Sequence, residues 1–176
     1  MPGFPTHAMA GLALGAAFYR PGVPRRLWVT GAAMAVAPDL DVIGFAFGVH
    51  YGSMLGHRGL THSLAFAVAT AAAVTYAWFR NGAGPLSRKA VGLYLALAMA
   101  SHGLLDMLTD GGRGIALFAP FSAERLFWPV RPVAVAPIGV AGIFEERIFR
   151  VLGTEFLWIW IPAAVFVAIA LRIRKN

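Results

Sequence analysis

Five long apolar stretches dominate this chain of 176 residues and leave it few ways to fold. They run roughly over 7–19, 27–47, 62–79, 90–108 and 156–173. A bilayer core about 30 Å thick offers the backbone no hydrogen-bonding solvent, so such runs fold as helices that satisfy their own N–H and C=O groups. Hydrophobic types make up 59% of the chain and charged types 13%, against about 25% charged in an ordinary soluble domain. The expected fold is therefore all-α: one membrane-embedded domain over 1–176, a polytopic bundle of about five spans with a long outer loop.

The connections set the orientation. Arg20, Arg25 and Arg26 lie between the first two runs, Arg80, Arg88 and Lys89 between the third and fourth, and Arg172, Arg174 and Lys175 after the fifth. None of these segments holds an acid, so the positive-inside rule makes all three cytoplasmic, with the N-terminus out and the C-terminus in. The other connections, about 48–61 and 109–155, then face outward. Within the longer one, Gly142 to Leu152 reads as an amphipathic helix with Ile143, Phe144, Ile148, Phe149 and Val151 toward lipid, or as an ordinary helix packed on the spans. The net charge of +7 is used up by these clusters, and no aromatic-interleaved basic stripe exists, so no nucleic-acid partner is expected. The first residues lack the basic leader and small-residue cleavage site of a secretory signal.

On that topology the ionisable residues gather at one face. His7 opens the first run from outside. Asp39 and Asp41 follow Pro38 in the second, His57 and Arg58 lie in the outer loop, His62 opens the third run, and His102 and Asp106 end the fourth. Isolated ionisable groups in a membrane cost several kcal/mol each, and a shared divalent cation offsets that cost. The chain has no cysteine, so any such ion is held by imidazole and carboxylate. His102 and Asp106, at i and i+4, share one helical face. Asp39 and Asp41, at i and i+2, diverge on a regular helix, but Pro38 interrupts that helix. If only one of them ligates, the other orients ligands or acts as a base. In His57-Arg58-Gly59-Leu60-Thr61-His62, Gly56 and Gly59 permit a tight turn, and Thr61 can cap the third run. Arg58 is placed to pair a phosphate bidentately.

Plainer readings stand beside these. His7 and His50 can be interfacial, His102 and Asp106 can share a structural hydrogen bond, and Asp39 and Asp41 can line a proton or ion path. Arg58 and Arg131 can contact lipid headgroups. At the level of function the alternatives to an enzyme are an ion or metal transporter and a noncatalytic membrane scaffold. No inverted repeat supports the transporter.

The segments Thr6-His7, Pro38-Asp39-Leu40-Asp41, Gly56-His57-Arg58-Gly59-Leu60-Thr61-His62-Ser63 and Ser101 to Thr109 carry a resemblance to a family of bacterial and archaeal inner-membrane metal-dependent hydrolases. Some of its members bear the label of LexA-binding, inner-membrane-associated hydrolases. The resemblance extends from Thr6 to about the fifth run. That family is distantly similar to zinc-dependent phospholipase C, and the similarity implies His7, Asp39, His57, His62, His102 and Asp106 as metal ligands, with Asp41 a further candidate. It implies one or two divalent ions, zinc foremost, and hydrolysis of a lipid or lipid-linked phosphoester. Asp39 or Asp41 would serve as base, with Arg58 and Arg131 toward substrate.

Overall fold

A computed structural model describes residues 1–136 and 147–175. Its regular structure among those residues is all helical: α1 (Phe4–Gly15), α2 (Arg25–Val36), α3 (Leu64–Trp78), α4 (Arg88–Asp106), α5 (Arg147–Glu155) and α6 (Ile161–Lys175). The expected runs thus become helices at nearly the expected places. Two of these helical segments, Arg25–Phe47 and Arg147–Arg174, are long and apolar enough to cross a membrane. The five-span expectation is met to that extent. α1 stops after 12 residues and α3 after 15, about 18 and 22 Å at 1.5 Å per residue, short of the hydrocarbon core.

α4 packs against α1, α2 and α3, and its buried positions explain why. Val91, Tyr94, Leu95, Ala98, Met99, His102, Gly103 and Asp106 recur at helical spacing, so one stripe passes from apolar residues into His102 and Asp106. α1 and α2 approach closely through small residues. A Cβ added at Gly11 would lie 2.7 Å from that of Ala35, and one added at Gly31 would overlap the Tyr94 hydroxyl. That hydroxyl donates to the Gly11 carbonyl at 3.1 Å. Gly31→Ala should therefore destabilise the protein by about 1–3 kcal/mol through overpacking, read as a lower Tm in detergent.

Two helices continue in altered geometry. α2 tightens into a 3-10 helix over Ala37–Phe47, where Pro38 enters. α5 passes into α6 through a π-helical turn, Phe156–Trp160. Ser63, not Thr61, caps α3, accepting from the Phe66 N–H at 3.1 Å. The amphipathic stretch expected over Gly142 to Leu152 falls partly on 137–146, outside the described residues. In its described part Phe149 is 79% exposed, but Val151 faces the protein at 1%, against expectation.

Candidate metal centre

The antiparallel packing collects one end of four elements: the start of α1, the 3-10 extension of α2, the turn before α3 and the end of α4. His7, Asp39, His57, Arg58, His62, His102 and Asp106 are all buried there. The i, i+2 spacing of the aspartates is resolved by the tightened helix. Two residues are about 160° apart around an α-helix but only about 120° apart on a 3-10 helix. Asp39 and Asp41 both turn inward, while Leu40 between them is exposed.

The imidazoles are oriented from behind. His102 Nδ1 lies 2.8 Å from the Ala35 carbonyl, which only accepts, so Nδ1 carries the hydrogen. The Thr61 hydroxyl donates to Asp41 Oδ2 at 2.7 Å and lies 3.0 Å from His62 Nδ1, so that nitrogen donates in turn. Asp41 Oδ2 is also 3.2 Å from His62 Nδ1, and its Oδ1 is 2.7 Å from His57 Nδ1. Asp41 and the Ala35 carbonyl thus fix tautomers, as groups behind metal-bound histidines do.

Both remaining nitrogens then present lone pairs. His62 Nε2 and His102 Nε2 face each other at 3.1 Å. Asp39 Oδ1 is 3.3 Å from His102 Nε2 and 3.7 Å from His62 Nε2. Asp106 Oδ2 is 3.8 Å from His62 Nε2, and Asp106 Oδ1 is 3.3 Å from His7 Nε2. The His7 ring stacks on His102 at 3.8 Å. Among the described residues, both ring nitrogens of His7 and all four carboxylate oxygens of Asp39 and Asp106 are buried without a hydrogen-bond partner, Asp106 Oδ2 having only its ion pair with Arg58 Nε. A proton on one imidazole would satisfy two of these acceptors at most. A cation among them would satisfy the set, so these residues fit a metal. Among the described residues two separate ligand groups stand side by side, His7 with His102 and Asp106, and Asp39 with His57 and His62.

Arg58 is turned inward, not toward an incoming phosphate. It is 1% exposed and adopts positive φ. Its Nε pairs with Asp106 Oδ2 at 3.1 Å, Nη1 donates to the Gly111 carbonyl at 2.9 Å, and Nη2 donates to the Thr109 hydroxyl at 3.1 Å. Its guanidinium is thus spent on Asp106 through Nε and on the loop after α4 through Nη1 and Nη2. Arg131 lies over the Phe127 ring at 4.7 Å, exposed, and is not brought to the cluster. His50 is exposed, as an interfacial residue would be.

Glu155 was not foreseen. It is 1% exposed and accepts from the Gly3 N–H at 2.6 Å and the Thr6 hydroxyl at 2.5 Å, while Trp160 Nε1 donates to Thr6 at 2.9 Å. This clamp ties α5 and the π-helical turn to the residue preceding His7. A lone acid opening the last apolar run was the available signal. Glu155→Ala should lower stability by about 2–3 kcal/mol, leaving two donors without their acceptor, and thermal unfolding would show it.

An all-helical membrane protein with residue groups suited to a metal is the class these features define. The chain belongs to the YdjM inner membrane protein family, which matches residues 1–176, and it is accordingly an inner-membrane protein. It is 38% identical over 165 residues, 92% of either chain, to "Inner membrane protein YbcI" of Escherichia coli (strain K12). No solved structure matches it.

Proposed function

We propose that this chain is a membrane-bound metal-dependent hydrolase acting on a phosphoester of a lipid or lipid-linked substrate. The observation that carries the reading is the buried cage of acceptors around His62 Nε2 and His102 Nε2, closed by Asp39 and Asp106. His7, Asp39, His57, His62, His102 and Asp106 would hold one or two divalent ions, most suitably zinc for this donor set. Such an ion supplies Lewis acidity toward a phosphoryl oxygen and acidifies water.

The protein's own groups divide the remaining work. Asp41, engaged by His57, Thr61 and His62, positions imidazoles. Asp39, with no donor on either oxygen among the described residues, is the carboxylate left to take a proton. Arg58 holds Asp106. The basic ends of the helices lie opposite the cluster: Arg174 donates to the Ala17 carbonyl and Arg26 lies over Phe79. With those ends cytoplasmic, the site faces the extracytoplasmic side, N-terminus out and C-terminus in, in a bundle of five membrane-embedded helical segments.

The test is purification in detergent, metal analysis by mass spectrometry, and an assay of headgroup release from a panel of phospholipids. Stoichiometric metal and turnover, both lost in His57→Ala, are the expected result. Protein free of metal, or metal flux into proteoliposomes without lipid cleavage, would overturn the reading, the latter in favour of a carrier.

A further inference from the structure

With Arg58 committed to Asp106, a phosphate arriving at the cluster needs another grip. The loop that follows α4 supplies one. Gly111-Gly112-Arg113-Gly114 lies against the Arg58 side chain, and its glycines at 112 and 114 adopt φ of +91° and +76°. A Cβ at Gly112 would overlap Arg58 Nη1 and lie 3.2 Å from the Tyr51 hydroxyl. On either side of the loop, the N–H groups of Asp110 and Ile115 bond to the carbonyls of Val133 and Leu126, each at 2.9 Å. Among the described residues, the four N–H groups of the loop itself meet no protein acceptor. The Gly111 carbonyl points inward to Arg58, so the trans peptide aims the Gly112 N–H the other way.

The charge around this loop is unbalanced. Arg113 is exposed, lies over the Tyr51 ring at 5.8 Å, and pairs with no carboxylate among the described residues. Tyr51 in turn packs edge-on against His57 at 5.3 Å, which puts the guanidinium one aromatic ring from the cluster. Arg125 lies over the same ring at 5.9 Å, but its donors go to the carbonyls of Tyr51, Ser53 and His57 at 3.2–3.3 Å. Burial, and after it the charges of Arg113 and Arg58, hold the Arg125 pKa below its ordinary value, against the pull of Tyr51 and Asp41. Three guanidinium groups therefore share one corner, and of these Arg113 is the one whose donors meet no acceptor among the described residues.

We propose that the loop Gly111–Gly114, with the Arg113 guanidinium, binds a phosphate anion beside the His/Asp cluster. Free N–H groups flanking left-handed residues are a recurrent anion cradle, and an unpaired guanidinium adds a bidentate, charge-assisted contact. As a grip on the reacting phosphate the inference rests on the hydrolase reading; as an anion site it stands alone.

The test is calorimetry on the detergent-purified full chain with three probes: inorganic phosphate, dihexanoyl phosphatidylglycerol, and dihexanoylglycerol, which lacks the phosphate. Metal is measured in the same samples, so absence of metal would sink the hydrolase reading while phosphate binding is still read. Both phosphate probes should bind and dihexanoylglycerol should not. Tighter binding of the phospholipid assigns the site to a headgroup, and equal binding assigns it to phosphate itself. Arg113→Ala should weaken phosphate binding about tenfold with metal content unchanged, as loss of one charge-assisted contact predicts. Arg80→Ala, which removes a comparable guanidinium over Tyr76, should leave it unchanged. Parent-like affinity in Arg113→Ala, or an equal loss in Arg80→Ala, would overturn the proposal.

Discussion

Asp106→Asn protein will purify with less than about a tenth of the parent's metal and, set against the parent stripped of metal, unfold roughly 10 °C lower, the first from a lost ligand and the second from an orphaned charge. Asp106 is completely buried, and its oxygens lie between His7 Nε2, His62 Nε2 and Arg58 Nε. An amide keeps the shape but removes the negative charge. Arg58 is then left as a buried cation without its counter-ion, a defect that costs about 3–5 kcal/mol. For a chain of this length each kcal/mol shifts Tm by about 2–4 °C, which places the expected drop near 10 °C. Metal analysis and thermal unfolding check the two parts separately. A variant that loses stability but keeps its metal would show that Asp106 serves only the arginine.

Chelation is the second large effect. If a cation fills the space between His62 Nε2 and His102 Nε2, removing it leaves two lone pairs at 3.1 Å beside two buried carboxylates. An ion present at about a thousand times its Kd stabilises the folded state by about 4 kcal/mol, so chelator should lower the Tm of the parent by roughly 10 °C. His102→Ala removes one of the facing nitrogens, and the bond to the Ala35 carbonyl goes with it. Its Tm should start lower and no longer respond to chelator. Equal Tm values for the parent with and without chelator would remove the physical basis for a metal centre here.

The helices were legible because apolar runs announce themselves, and their boundaries differ from the expected ones by only a few residues in most cases. His102 and Asp106 were legible for a related reason: at i and i+4 they continue the buried stripe of α4. The orientation of Arg58 was not legible. A guanidinium between two histidines looks like a phosphate grip, yet whether it faces outward depends on Thr109, Gly111 and Asp106, about fifty residues away in the chain. The same holds for Thr61, whose hydroxyl turns to Asp41 and leaves the cap to Ser63.

By itself, then, the sequence determined the helical class, the membrane setting, and which imidazoles and carboxylates share one end of the bundle. Periodicity and hydropathy are local properties, and alternating helix direction carries them into three dimensions without further information. Only the tertiary structure decided the roles within that set: that Asp41 orients rings while Asp39 faces the cage, that Arg58 braces a carboxylate, and that Glu155 fastens the last helix beside His7. Those roles follow from distances of about 3 Å between residues far apart in the chain, and no spacing along a sequence encodes them.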